Sequence, residues 1–137
     1  MKSLTSEIIT LLKTKSYPVT VKTIVEGYPA TTPTYPAIIV QEIDNISNKT
    51  LLGEELYSTL TYDIEIYARD MIVATVATSS KTTVKGIASM VDTTLNSYYG
   101  FKRTVASLVP YSVDNTVSRY LLRYTVILDN KNNITYR

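Results

Sequence analysis

Leu56-Tyr57-Ser58-Thr59-Leu60-Thr61-Tyr62-Asp63-Ile64-Glu65-Ile66-Tyr67-Ala68 is the stretch that decides the fold. Leu56, Ser58, Leu60, Tyr62, Ile64, Ile66 and Ala68 face one way, and Thr59, Thr61, Asp63, Glu65 and Tyr67 face the other. Alternation of period 2 over so long a run specifies a strand with one covered and one wet face. Such a strand needs strand neighbours and something apolar to cover it, and both are found outward from it.

Upstream, Ala37 to Ile43 reads as a strand whose continuous run Ile38-Ile39-Val40 predicts cover on both faces. Asp44 to Glu55 is polar and turn-rich, with Asn45, Asn48 and Gly53, and reads as a long hairpin loop. Pro18 to Val25 reads as a first strand. Between them, Glu26 to Pro36 holds Pro29, Pro33 and Pro36 and reads as an extended loop. Residues 4–14 read as a short helix, with Leu4, Ile8, Leu11 and Leu12 on one stripe. Ser3 or Ser6 is its cap, and Tyr17-Pro18 stops it.

Downstream, Thr83 to Tyr99 reads as a second helix, with Val84, Ile87, Ala88, Val91, Leu95 and Tyr98 at the 3.6 period. Ser79 or Ser80 is its cap, unless Met71-Ile72-Val73 extends it upstream, and Gly100 is its stop. Phe101 to Val109 reads as a strand, Pro110 to Thr116 as a turn and Val117 to Asp129 as a last strand. Asn130 to Arg137 reads as a flexible polar tail. The order is α-β-β-β-α-β-β. This predicts an α+β fold: a mainly antiparallel sheet of about four to five strands packed by two helices. The 137 residues form one domain. A chain of that length buries roughly 68% of its unfolded surface.

Composition closes many routes to chemistry. There are no cysteines and no histidines. This excludes disulfide scaffolds, thiolate or imidazole metal sites, cysteine nucleophiles and histidine-based triads. Glycines 27, 53, 86 and 100 never cluster into a phosphate-cradling loop, so no cofactor is expected. Asp63 and Glu65 share a strand face, as paired acids must, and Glu54 and Glu55 adjoin in the loop. Both pairs read first as solvated surface. Ser79-Ser80-Lys81 reads as a helix cap before it reads as a serine–lysine pair. The chain is therefore not expected to be an enzyme. Fourteen bases against twelve acids give +2, too mild a charge to imply nucleic acid. Lys81 with Lys85, Lys102 with Arg103 and Arg119 with Arg123 are the basic clusters a nucleic-acid module would use. The chain's start carries an acid, Glu7, where a signal peptide needs an apolar run, and no stretch is apolar enough for a membrane span. Asn45, Asn48 and Asn133 head N-x-Ser/Thr triplets that are then coincidental. Twelve tyrosines stand against one phenylalanine and no tryptophan, a bias that suits strands and interfaces.

Three segments in order carry a resemblance. They are Tyr62-Asp63-Ile64-Glu65-Ile66-Tyr67-Ala68-Arg69-Asp70; Val91-Asp92-Thr93-Thr94-Leu95-Asn96 followed by Gly100-Phe101-Lys102-Arg103; and Ser118-Arg119-Tyr120-Leu121-Leu122-Arg123-Tyr124. After an N-terminal helix and the strand Tyr35 to Ile43, they resemble the tail terminator proteins of long-tailed bacteriophages. The related minor capsid-type and tail-completion proteins share the pattern. The resemblance implies a virion protein at the head–tail junction, assembled in the host cytoplasm. It implies a homo-oligomeric ring, typically a hexamer, that caps the tail tube, ends its growth and offers a docking surface to the head connector or stopper. DNA is then only passing cargo. The expected contact segments are the loops Tyr28–Pro36 and Asp44–Glu55 and the tail Asn130–Arg137. They supply Tyr28, Tyr35, Asn45, Asn48, Leu51, Leu52, Glu54, Glu55, Lys131, Tyr136 and Arg137 as interface candidates. The rival expectations are another neck component (stopper, adaptor or head-completion protein), a nucleic-acid-binding module and a small enzyme.

Overall fold

The computed structural model describes residues 3–51, 54–73, 76–98, 100–110, 116–130 and 134–136. The fold is α+β, with the expected order of helices and principal strands. Helix α1 is Thr5–Lys13, and strands β1 and β2 are Thr23–Glu26 and Ala37–Leu51. Strand β3, Glu54–Arg69, contains the alternating stretch. A small hairpin follows, β4 Met71–Val73 and β5 Val76–Thr78, before helix α2, Ser80–Asn96. Strands β6, Lys102–Val109, β7, Val117–Asp129, and β8, Ile134–Tyr136, end the chain. The main sheet runs β1-β2-β3-β7-β6, and β8 also pairs with β7. All its pairings are antiparallel except β1 with β2.

Strand β3 sits at the centre. Residues Tyr57 to Arg69 pair with β7 on one side, while Glu54 to Tyr67 pair with β2 on the other. Its apolar face is covered by both helices. Leu60, Tyr62, Ile64, Ile66 and Ala68 join Ile38 and Val40 of β2 and Leu122, Tyr124, Val126 and Leu128 of β7. Ile8 and Leu12 of α1 and Val84, Ile87, Val91 and Leu95 of α2 close over them, with Phe101 in their midst. Each large side chain so buried stabilises by about 1.5–3 kcal/mol. Ile39, between Ile38 and Val40, turns into a second, smaller cluster on the opposite face with Ala37, Tyr67 and Val117. The expected cover on both faces of that run is thus observed.

Several boundaries differ from expectation, each for a physical reason. Of Asp44–Glu55, residues 44–51 and 54–55 are strand rather than loop, and Leu52 and Gly53 lie outside the described residues. Strands β2 and β3 continue through those residues, absorbing the polar ones with register shifts at Glu42/Asp44, Ser47/Lys49 and Lys49/Thr50. Strand β1 is shorter than Pro18–Val25, because residues before Lys22 cross instead to α2, where Pro18 Cγ would lie 3.4 Å from a Cβ on Gly86. An added Cβ there would meet the Pro18 ring at about van der Waals contact, so the segment after α1 lies directly against α2 at Gly86. Met71-Ile72-Val73 does not extend α2; it is the first strand of the small hairpin. Helix α2 begins at Ser80, capped by Ser79, whose Oγ accepts from Thr82 N at 3.3 Å. Asp70 Oδ1 accepts from Ser80 N at 2.7 Å, placing a carboxylate at the positive helix end. The helix ends at Asn96, before Gly100, which lies at φ 78°; Tyr99 lies outside the described residues. Neither Ser3 nor Ser6 is the N-cap of α1, which is Leu4. The tail is not loose over Ile134–Tyr136. Strand β6 ends its pairing at Thr125, and β8 takes the next positions on the same edge, Ile127 to Asp129.

Tyrosine hydroxyls anchor the helices. Leu4 N–H donates to the Tyr62 hydroxyl at 2.7 Å, and that hydroxyl donates to Glu42 Oε1 at 3.1 Å. One phenol on β3 thus anchors the start of α1 and a side chain of β2. Tyr17 donates to Leu12 O at 2.7 Å and satisfies a carbonyl at the end of α1. Tyr124 donates to Asp92 Oδ1 at 2.7 Å, fixing α2 to β7, and Arg103 of β6 joins the same carboxylate at 2.7 Å. Tyr62→Phe leaves the Leu4 N–H and Glu42 without this partner. The expected loss is about 1–2 kcal/mol. Urea unfolding reads the loss, and amide exchange reads it locally as faster exchange at the start of α1 than in α2.

Candidate functional site

The face of the sheet turned away from the helices carries the polar side chains of the deciding stretch. Thr61, Asp63, Glu65 and Tyr67 alternate with the core residues of β3. Asp63 is paired in register with Arg123 of β7, and Glu65 with Leu121. The Arg123 guanidinium forks onto the carboxylate, Nε to Oδ1 at 2.6 Å and Nη2 to Oδ2 at 2.9 Å. Asp63 is 7% exposed, so the wet face expected at this position is a correction: the acid is covered and paired. The hydrogen bond and then the charge of Asp63 raise the Arg123 pKa further above its ordinary value. Glu65 Oε2 accepts from the Tyr67 hydroxyl at 2.5 Å. Burial, then that carboxylate, raises the Tyr67 phenol well above its ordinary value, against a lowering by Arg119. Asp63 and Glu65 are therefore each committed to a different neighbour. Among the described residues no group of three or more acids gathers in metal-ligand geometry. Ser80, the other catalytic candidate, exchanges a hydroxyl contact with Ser118 at 2.6 Å and heads α2.

Beside the ion pair lies an aromatic lid. The Tyr67 ring is stacked on by Tyr35, with centroids 6.3 Å apart, and met edge-on by Tyr28 at 5.6 Å. Arg69 lies over the Tyr35 ring, 5.4 Å from its centroid. Together with Val25, Tyr35 covers Ala37, Ile39, Tyr67 and Val117. The Tyr28–Pro36 loop, expected only as a contact segment, also has a packing role: its Tyr35 helps roof the second cluster. Its Tyr35–Pro36 peptide is cis. Tyr28 nevertheless remains 46% exposed, while Tyr35 is half-buried.

The other candidates divide by position. Asn45 lies on the β2 half of the long hairpin, half-buried. The backbones of Asn48 and Leu51 on β2, and of Glu54 and Glu55 on β3, form the hairpin's far end, with Leu51 paired with Glu54. Tyr136 is in β8, paired with Ile127. The side chains of these five, and Leu52, Lys131 and Arg137 entirely, lie outside the described residues. The structure thus gathers the hairpin candidates at one end of the sheet and sets Tyr28 and Tyr35 apart from them over the roofed cluster. Sequence reading missed Ile43, Ile46 and Tyr57, the exposed apolar residues of the hairpin, at 44%, 56% and 37% exposure. The signal was present as apolar residues spaced through a polar stretch, but it reads as strand only once the partner strand is known.

A cleft of about 770 Å³ opens between the segment after α1 and the roof loop. Tyr17, Lys22, Tyr35, Arg69 and Asp70 contribute to its lining. Arg69 rests on Tyr35 and Asp70 caps α2, so these two charged groups serve the fold, while Lys22 is exposed at the cleft.

The sequence matches no protein-family model, and no curated protein matches it.

Two outcomes follow from these side chains. Arg123→Ala leaves a buried carboxylate without its fork and lowers stability by about 1–3 kcal/mol, while Asp63→Ala/Arg123→Ala together recovers part of that loss. Urea midpoints of the variants report the difference, and equal losses would show the pair to be uncoupled. At alkaline pH, burial first and foremost raises Tyr17 from 10.0 to about 12, and raises Tyr62, Tyr67 and Tyr124 in the same direction. A raised phenol pKa favours the folded state while the group is neutral. That contribution is full below pH 10.0 and is lost as pH rises toward about 12. Urea midpoints across that range are expected to fall, and less steeply in Tyr17→Phe.

Proposed function

We propose that the chain is a structural virion protein of a phage tail, a tail terminator or tail-completion protein. It forms a ring on the last ring of the tail tube, ends tube growth and presents a docking surface to the head connector or stopper. Its partners are further copies of itself, probed below, the tube protein and the neck. Its place is the head–tail junction.

The observation that carries the reading is the β2–β3 hairpin. The helix-covered core on β2 ends at Val40, and none of the residues from Gln41 to Ile46 is buried. Yet the ladder with β3 continues to Leu51. This stretch of β2 exposes Ile43 and Ile46, and Tyr57 is exposed on β3, while β3 opposite it stays in the core through Leu60 and Tyr62. Here β2 is an edge strand among the described residues, and it keeps apolar side chains in solvent. Such an edge gains by lying against a neighbour. The resemblance of the three quoted segments names the assembly, and this edge supplies the physical means. Acid–base chemistry is disfavoured because Asp63 and Glu65 are each held by a separate partner.

Electron microscopy of particles assembled with this gene disrupted tests the role. Headless tails of abnormal length are expected, since nothing then stops tube growth. Tails of normal length that fail to join heads would transfer the protein to the neck. Normal joined particles would overturn both assignments.

A further inference from the structure

The main sheet ends in two open edges that differ in kind. On one side, β6 pairs with β7 and has no strand beyond it among the described residues. Lys102, Arg103, Thr104, Ala106, Ser107 and Leu108 are exposed, and Val105 and Val109 are half-buried. From Thr104 to Val109 the strand has no charge, proline or glycine. An uncovered edge of that composition is the kind natural proteins avoid, because it pairs with whatever strand it meets. On the other side, β1 covers only Ala37 to Val40 of β2. From Gln41 onward the outer edge of β2 has no strand beside it among the described residues.

We infer that these two edges are partners: β6 of one copy adds to the outer edge of β2, beyond Val40, of the next. Three observations converge on a second copy as the occupant. The first is charge. Gln41 to Ser47 carries Glu42 and Asp44 and no base, whereas β6 carries Lys102 and Arg103 and no acid. Arg103 is already bridged to Asp92 and Glu42 to Tyr62, so Lys102 and Asp44, both exposed, are the pair set to meet across the joint, although Asp44 also acts at longer range on Arg123. The second is apolar content. Exposed Leu108 on β6 has counterparts in exposed Ile43 and Ile46 on β2. The third is direction. The pairings run β2 and β7 one way and β3 and β6 the other. A rotation about an axis along the strands leaves those directions unchanged. It therefore brings β6 antiparallel to the neighbour's β2, the geometry that hydrogen-bonds most directly. Because the edges lie on opposite sides of one sheet, the contact is head-to-tail, and it closes into a ring or runs on as a filament. Main-chain pairing supplies the attraction, as in strand addition generally.

The inference deepens the proposed ring and rests on that reading for its setting. Its test uses the isolated full-length chain and is independent of tails. The chain has no cysteine, so single cysteines report without background. Ser107→Cys and Gln41→Cys chains, one carrying a mass tag, are treated with a bis-maleimide spanning about 10 Å, two strand spacings. The mixture is expected to cross-link into heterodimers, and each variant alone is expected to stay largely unlinked. Adding Lys102→Glu to the Ser107→Cys chain should lower the heterodimer yield about fivefold. Adding Asp44→Lys to the Gln41→Cys partner should then restore it. Homodimers of the Ser107→Cys chain in place of heterodimers would mean two-fold β6–β6 pairing and overturn the inference. So would a heterodimer yield no higher than that of the urea-unfolded mixture. Overlong tails on gene disruption together with no cross-link would keep the tail role and remove the edge pairing. Cross-linking together with normal virions would do the reverse.

Discussion

Strand β3 is hydrogen-bonded on both sides along most of its length, and everything else in the molecule answers to that. A strand paired on both edges has only its two faces left to settle. One face is wholly apolar, from Leu60 through Tyr62, Ile64 and Ile66 to Ala68, and both helices are spent on it. The other face carries charge and has no helix to cover it. Its acids are settled sideways instead, within the sheet. Asp63 meets Arg123 directly across the ladder, and Glu65 meets Tyr67 two residues along the same face. Where apolar residues break into that face, at Ile39 and Tyr67, a loop of prolines and tyrosines is drawn over them. A pleated strand thus dictates two different solutions to burial, one per face.

The tyrosine bias follows from the same constraint. Phenylalanine fills a core with no further demand, but a buried phenol requires a hydrogen-bond partner. Tyr62, Tyr124 and Tyr17 each reach a group at a helix: the Leu4 N–H, Asp92 and the Leu12 carbonyl. Two helices resting on an apolar sheet face can slide, since burial is not directional. A hydroxyl with a fixed partner is directional. The phenols therefore contribute register as well as area, and the single phenylalanine, Phe101, sits at the hub touching Tyr62, Tyr98 and Tyr124.

Much of this was legible in the sequence because it is local and periodic. The period-2 run on β3, the 3.6-period stripe on α2 and the continuous run Ile38-Ile39-Val40 each name their own environment. What was not legible depends on a distant partner. Asp44–Glu55 reads as loop because its composition is polar and asparagine-rich. Through Leu51 it is strand because β3 opposes it, and the bulges that accommodate it are invisible without that pairing. Asp63 reads as solvated because Arg123 is far along the chain. Tyr35 reads as an idle loop residue because the ring it stacks on belongs to a strand not yet placed. Ile134–Tyr136 reads as tail because only the early end of β6 pairing, at Thr125, opens an edge for it. For the candidate surface, the hairpin was singled out as a segment, but its exposed apolar side chains were hidden by reading strand as loop.

The same division locates the part of the fold that is least self-sufficient, on which the proposed assembly rests. Each element that packs on β3 is stabilised by the subunit itself. The stretch of β2 from Gln41 to Ile46 and the strand β6 are less so, since none of their described residues is buried and each is hydrogen-bonded along one edge only among the described residues. Edges left open invite indiscriminate pairing, and the register shifts on β2 discourage it by twisting the strand away from flat partners. An edge so shaped selects a partner of matching twist and charge. Selectivity of that kind suits subunits whose individual contacts are weak and whose closure alone makes the assembly stable, because pairing that is too strong would assemble them away from their template.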